Sequence, residues 1–436
     1  MDDLRKLSRR NFLAGGATAA AGGLAAPHLV PASALAAPGR PGPNDRIGVG
    51  YIGVGRRGMQ LSGLPAAGQI VGVCDIDRNR AQAAAARLQC PPYTDYRKML
   101  EAKDVDAVLV ATPDHWHALV CIRACQAGKD VYCEKPLGLT VREGRAMLDA
   151  ARKYGRVFQV GMQRRSSSAY RIGCALAREG RLGKVHTVIG PNYPSPWLSK
   201  LPAQPVPDGL DWDVWCGQTE PVPFNQDIYI QRARPGWISL QPYSGGEMTG
   251  TGAHTLDIVH WALGADHTGP VEVWAEGGKL EPVVYSAPED RNRGDAHCSR
   301  GHQVAFRYAN GVTMKLDDAT QDWVFLGDKG KMTIANEKIT TDPPEIAAEA
   351  LKGVKKDGPA SHLQNWLDCI KSRERPNADV EIGHCSTTVC HLGNIARWVG
   401  RKLRWDHEKE IFPGDDEANG YLERPMRKPY ELPRTL

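Results

Sequence analysis

The sequence predicts an α/β protein: an N-terminal doubly wound parallel sheet, followed by a second α/β domain with a large, mostly antiparallel open sheet. Two observations carry the first half. Short apolar runs alternate with helical segments from residue 46 to about 160, and a glycine-rich turn at 53–58 joins the first run directly to a helix. A third observation carries the second half: β-type runs separated by turn residues recur between 185 and 345. The 436 residues, 42% hydrophobic, suffice for two or three domains with real cores. A formal charge of +5 without a long Lys/Arg block gives no footprint for nucleic acid. Beyond the N-terminal region, no apolar run is long enough for a membrane span.

Residues 1–36 read as an export signal, to be set aside from the fold. Ser8-Arg9-Arg10-Asn11-Phe12-Leu13 is a twin-arginine (Tat) motif, and a weakly apolar Ala/Gly stretch runs from Ala14 to Ala26. Ala32-Ser33-Ala34 and Ala34-Leu35-Ala36 offer small-residue cleavage sites. The Tat route carries folded proteins. Eleven cysteines without paired spacing fit folding in a reducing compartment better than a disulfide scaffold. The expected location is therefore periplasmic or otherwise exported. Residues 37–45 form a Pro/Gly linker.

The expected first domain, 46–165, opens on the buried strand Arg46–Ile52. In the turn that follows, Gly53 permits the tight bend and Gly55 lets backbone approach a pyrophosphate. Gly58 lets the helix pack close to the sheet, and Arg56 and Arg57 are assigned to the cofactor with it. A second strand, Ile70–Cys74, ends in Asp75, 20 positions beyond Gly55. A carboxylate there accepts from ribose hydroxyls and repels a 2′-phosphate, so the expected cofactor is NAD rather than NADP. Arg78 and Arg80 nearby temper that preference, and a plain strand-end turn is the alternative for Asp75. Helix 78–89, strand 107–111, helix 115–127, strand 130–133 and strand 158–161 continue the alternation. Loops at the strand C-termini then line a crevice. They are Thr112-Pro113-Asp114-His115-Trp116-His117, Glu134-Lys135-Pro136 and Gln163-Arg164-Arg165.

With GVGRRG, TPDHWHA, AGKDVYCEKPL and GGEMTGTGAHTLDIVHWALG in this order, the chain closely resembles the Gfo/Idh/MocA oxidoreductase family, in its Tat-exported, glucose-fructose-oxidoreductase-like branch. The resemblance implies a Rossmann domain followed by an α/β domain (166–405 here) for substrate and oligomerisation, whose open sheet face packs on another subunit as homodimer or homotetramer. Lys135 matches the family's catalytic lysine, and its pKa would fall beside an oxidised nicotinamide. His254 matches the histidine opposite the nicotinamide, suited to relay a hydroxyl proton. Asp257, three residues on, shares its helical face and is expected to orient it. One departure stands out: Gly250 occupies the position where the family usually places an aspartate, leaving Glu247, Asp257 or water to replace it. His115 resembles the histidine of TPxHxH; with Thr112, Pro113, His117, Glu134 and Gln163 it is assigned to the cofactor. Asp114 is read as a contact or a helix cap. His260 is read as packing.

Between the first two β-runs of the second half, segment 191–244 is rich in Trp and Tyr and long for an unstructured connection. It is read as a substrate lid or a small satellite core, with Trp237, Tyr243 and Arg164 as substrate contacts. His297-Cys298 with His302, and His384-Cys385 with Cys390-His391, lack zinc spacing, so no metal is assigned. Residues 406–436 read as an arm wrapping a neighbour or its own domain. The expected activity is hydride transfer between tightly bound NAD and a sugar or polyol. A redox-neutral NAD-dependent glycosidase or sugar lyase and a catalytically silent NAD-containing protein are the alternatives.

Overall fold

The computed structural model describes residues 42, 45–229, 235–335, 338–353 and 360–433. The export signal expected at 1–36 lies outside them. The chain divides into two compact units at Arg46/Ile47, and both large sheets belong to the second.

The first sheet contains β1 (Ile47–Ile52), β2 (Gly68–Cys74), β3 (Pro92–Tyr93), β4 (Ala107–Val110), β5 (Asp130–Cys133) and β6 (Phe158–Val160), all parallel, in the order β3-β2-β1-β4-β5-β6. Its strands are apolar on both faces because both are covered. Val49, Tyr51, Ala107 and Tyr132 face one core; Ile52, Val108, Val110 and Val131 face the other. Helices α1 (Arg56–Gln60), α2 (Arg78–Leu88), α3 (His117–Gln126) and α4 (Val141–Lys153) connect the strands. Asp77 caps α2 by accepting from Arg80 N, and Thr140 caps α4 by accepting from Glu143 N. The helix expected over 115–127 instead opens as a tighter turn, Asp114–Trp116, with α3 starting at His117. Asp114 does not cap it, since its carboxylate turns to Ser244.

The second sheet has the order β15-β14-β13-β7-β12-β11-β9-β16. Its strands are β7 (Val185–Pro191), β9 (Glu272–Ala275), β11 (Val304–Arg307), β12 (Thr313–Asp317), β13 (Trp323–Gly327), β14 (Gly330–Ala335), β15 (Lys338–Asp342) and β16 (Leu403–Arg404). Only the β7–β12 pair is parallel. The β-type runs expected between 185 and 345 form β7, β9 and β11 to β14; β15, β16 and the two-residue pair β8 (Leu198–Ser199) and β10 (Val284–Tyr285) are further strands. Inward-facing Val188, Phe306, Met314, Phe325 and Met332 pack into the large core with helices α5 (Ser168–Arg178), α6 (Thr251–Leu263) and α8 (Val380–Val399).

Helix α7 (Ala360–Ser372) returns to the first sheet, where Leu363, Trp366 and Leu367 join Tyr51, Ala107 and Tyr132 in one core. A division at 165 thus follows the chain's path while packing crosses it. Arg397, wholly buried in α8, donates to Tyr193 O at 2.7 Å, Asn192 Oδ1 at 2.6 Å and His302 O at 2.9 Å. Burial pulls its guanidinium down to about 9. No described helix is long and apolar enough to cross a membrane.

The described residues of 191–244 build a satellite core together with Tyr285 and Cys298; in it Trp212 stacks on Trp215 at 4.5 Å, and Trp197, Phe224, Tyr229 and Tyr243 pack around them. The described C-terminal residues pack on the same chain and reach the first domain, with Arg424 bonding Glu143 of α4 at 2.7 Å.

Candidate active site

A cavity of about 890 Å³ runs along the C-terminal edge of the parallel sheet, where open α/β sheets place ligands. At its floor is the glycine turn. Gly53 adopts φ +86°, and a Cβ there would lie 2.7 Å from the Ala111–Thr112 backbone. A Cβ on Gly58 would lie 2.2 Å from Gly53 O, so the helix sits against the turn as expected. Arg56 and Arg57 line the same end. Asp75 also lines the cavity; its carboxylate accepts from Val54 N and Asp77 N, each at 3.1 Å, and from Arg80 Nη1 at 3.3 Å. Burial raises its pKa, with the Arg80 charge opposing. Arg80 therefore lies on the carboxylate rather than in open solvent, and the Tyr229 hydroxyl accepts from its other arm.

At the opposite end, Lys135 and His254 line one cavity from different domains. Lys135 follows β5 and precedes a cis Pro136. Its Nζ donates to Gly250 O at 3.0 Å, and Gly250 is the N-cap of α6, one turn before His254. His254 Nδ1 is buried without a hydrogen-bond partner among the described residues. Burial, reinforced by the charges of Lys135, Arg164 and Arg57, holds this imidazole well below its usual pKa, so it is neutral at neutral pH.

Asp257 does not reach His254, contrary to the expectation from helical spacing. Both of its oxygens accept from Arg165 Nε at 2.9 Å, and Oδ1 accepts from Ser386 Oγ at 2.8 Å. Arg165 also grips Asp266 at 2.7 Å. A fully buried carboxylate needs such partners, and on a helix the i+3 side chain turned toward Arg165 cannot also face the cavity. Glu247 is the carboxylate beside Gly250, with Oε2 3.5 Å from where a Cβ at 250 would lie and accepting from Thr251 Oγ1.

His115 is also corrected. It is fully buried behind the cavity, its Nε2 meets Trp215 O at 2.8 Å, and burial takes it down to about 3. Its ring packs closest against Tyr243 and Trp215, with centres 5.2 and 5.3 Å away. Tyr243 shares that burial and does not line the cavity; Trp237 does. Arg164 lies over the Tyr170 ring at 5.4 Å and is not among the lining residues. Bulk explains these misses, since large aromatic groups in the insertion seal one another before they reach the ligand space.

The remaining assignments converge. Thr112, Pro113, Asp114, His117, Glu134 and Gln163 line the cavity. His117 has both ring nitrogens on carbonyls, Pro136 O at 2.8 Å and Thr112 O at 3.1 Å, which suits an imidazolium. Its pKa rises to about 10: burial opposes the charge, but the Cys133 sulfur, Asp114 and the Pro136 carbonyl outweigh it. His117 thus ties the β4 loop to the turn that carries Lys135. Glu134 accepts from Gln163 Nε2 and pairs with Arg57, each at 2.9 Å, closing a bridge from the glycine turn to the β5 loop. His260, as expected, packs, meeting Tyr308 OH at 2.8 Å. His384 and His391 bond to Glu410 at 2.5 Å and Gly138 O at 3.1 Å. Unforeseen lining residues include Tyr96, Arg123, Val214 and Tyr430. They come from four separate segments, and no local spacing links them.

The cavity fits a dinucleotide. The turn has no room for a Cβ, Asp75 stands at the end of β2, and the buried Thr112 Oγ1 and His254 Nδ1 have no hydrogen-bond partner among the described residues. Residues 47–162 match the model of an oxidoreductase family's NAD-binding Rossmann fold, and 183–432 match its C-terminal alpha/beta domain. An inositol 2-dehydrogenase of Salmonella typhimurium is 32% identical over 170 residues, covering 38% of this chain and 48% of that one. A 2,7-anhydro-N-acetylneuraminate hydratase of Mediterraneibacter gnavus is 30% identical over 245 residues, 54% of this chain and 52% of the relative. The matches thus span about half the length of these relatives. The WlbA dehydrogenase of Bordetella pertussis, solved with NADH and UDP-GlcNAcA, superposes with a TM-score of 0.59 at 20% identity, over 83% of this chain and 99% of that one. The likeness is one of fold. With both of its domain models matched in order across the described chain, the protein belongs to the Gfo/Idh/MocA oxidoreductase family.

Proposed function

We propose that the protein is an NAD-dependent dehydrogenase that moves hydride between a resident NAD and a hydroxyl-bearing carbon of a sugar or polyol. The observation that carries this is the meeting of Lys135, from the first domain, with the cap of the helix that bears His254, inside the cavity that begins at the glycine turn. When bound, the nicotinamide supplies the hydride acceptor. The Gly53–Gly58 backbone cradles the pyrophosphate and Asp75 accepts from ribose hydroxyls. Lys135 holds the substrate oxygen through Nζ, and the neutral His254 takes the hydroxyl proton. Trp237 walls the substrate end. The inositol 2-dehydrogenase relative supports the substrate class. The test is mass spectrometry of the nucleotide that copurifies, followed by absorbance at 340 nm with myo-inositol, levoglucosan and simple aldoses. A protein that neither carries nor binds a nicotinamide nucleotide refutes the reading.

A redox-neutral glycosidase or lyase is the second reading. It is favoured by the hydratase relative and by Gly250, which leaves no side-chain carboxylate where the oxidoreductase pattern has one. Aglycone released from aryl glycosides without net NADH marks it. A silent NAD-containing protein releases nothing and reduces nothing.

Two expectations join this reading. Residues 1–36 direct export by the Tat route to the periplasm, which N-terminal sequencing of the exported protein checks. The chain assembles as a homodimer or homotetramer through the outer face of the second sheet, where Ile189, Val324 and Leu326 lie on adjoining strands, partly exposed. Light scattering reads the assembly.

A further inference from the structure

Two segments outside the dinucleotide motif cover the adenosine half of the cavity. Residues 208–229 contribute Asp211, Val214, Trp215 and Tyr229 to its lining, and the C-terminal segment contributes Pro429 and Tyr430. The first is pinned to the corner after β2. Arg78 N donates to Gly209 O and Asn79 Nδ2 to Asp208 O, both at 2.9 Å, and Leu210 bridges Asp77. Tyr229 accepts from Arg80 and donates to Asp77 Oδ2 at 2.9 Å. These are the residues immediately after Asp75, the carboxylate assigned to the ribose.

The second segment locks the first in place. Arg427 Nε donates to Gly217 O at 2.8 Å, Nη2 to Asp213 O at 2.6 Å, and Nη1 meets the Asp213 carboxylate at 3.0 Å. The backbone N–H of Arg427 adds a bond to Gln218 O at 3.1 Å. Its guanidinium lies 4.8 Å from the centre of the Tyr430 ring, which packs nearly perpendicular to Trp116 with ring centres 5.5 Å apart. Arg424, three residues earlier, anchors the segment to Glu143 and to His115 O at 3.1 Å. A roof tied down at both edges must detach along at least one of them before a dinucleotide lying beneath it can leave.

We propose that residues 208–229 and 424–430 form a two-piece roof over the adenosine half of the dinucleotide groove, with Arg427 as the tie, making the cofactor resident over many turnovers. This rests on the reading that the groove holds NAD. The test loads the full chain with NADH and follows loss of its protein-sensitised fluorescence on a chase with excess NAD. Wild type is expected to remain loaded through desalting. Arg427→Ala, a charge-assisted tie removed, is expected to release NADH about tenfold faster or more. Tyr430→Ala, which keeps the tie but opens the lining, is expected to speed release as well, and circular dichroism identifies any variant that fails to fold. Release within seconds from wild type, or rates within about twofold for both folded variants, overturns the roof while leaving the groove's assignment intact. Absence of any NADH binding to wild type overturns the groove itself.

Discussion

Lys135 Nζ lies 3.0 Å from the carbonyl oxygen of Gly250, so a side chain of the parallel-sheet domain bonds to the N-cap residue of the helix that carries His254. The bond fixes how the two domains meet at the reacting end of the cavity. Lys135→Ala should therefore lower turnover about 10²–10⁴-fold while NADH titration by fluorescence still reports binding. Unchanged turnover would exclude Lys135 from the proton path.

His254 and Asp257 should separate cleanly. His254→Ala is expected to abolish turnover with little change in melting, because its ring faces the cavity. Asp257→Asn breaks the buried pair with Arg165 and should cost about 3–5 kcal/mol of stability in denaturant titration. If Asp257→Asn melts like wild type but loses turnover, Asp257 belongs to the chemistry after all.

Glu247 is the carboxylate next to Gly250. Glu247→Gln should lower turnover, and Gly250→Asp in that background should restore part of the loss, provided the backbone at Gly246 O, 3.2 Å from a Cβ at 250, gives by a few tenths of an ångström. A Glu247→Gln enzyme with wild-type turnover would show that water serves instead.

Asp75→Asn keeps the shape at the end of β2 and removes the charge. The ratio of NADPH to NADH affinity should rise about tenfold, because Arg80 is then released toward a 2′-phosphate. Paired fluorescence titrations decide it, and an unchanged ratio would move the discriminating contact elsewhere.

Acid should weaken the fold. Burial takes His115 to about 3 and His260, His362 and His391 to about 4, below the value near 6.5 of an unfolded chain. The unfolded state then binds more protons below about pH 6.5, so stability is full above that pH and declines toward pH 4. Each histidine contributes up to about 1.4 kcal/mol per pH unit. The raised carboxyls of Asp75, Asp114 and Asp257 act in the opposite direction and soften the slope. His117, raised to about 10, is protonated in the fold throughout, whereas the unfolded chain takes up that proton only near 6.5; it therefore opposes the other histidines at the upper end of this range and drops out only well below 6.5. Melting temperatures that hold steady or climb between pH 7 and pH 5 would contradict this balance.

The strand–turn–helix grammar of the first domain was readable because each of its signals is local: an apolar run, glycines at fixed offsets, a carboxylate at the next strand end. Lys135 and His254 were readable because short motifs surround them. Asp257 was misplaced because helical periodicity says which residues share a face but not which partner claims them, and Arg165 sits in a different segment. His115 and Tyr243 were misplaced for a related reason: composition shows that aromatic groups crowd the insertion, while only three-dimensional packing decides which are spent on one another. Tyr430 and Arg427 carry no local signature, since their role arises from a contact some 200 residues distant in sequence.

Trp366, from the last third of the chain, rests with Leu363 and Leu367 on the sheet that the first third builds. A fragment ending near residue 165 would leave Tyr51, Ala107 and Tyr132 open to solvent and present an oily sheet face to other copies of itself. Swapping the nucleotide-binding module between relatives would therefore have to carry this distant helix along, because the first sheet and α7 are one mechanical part.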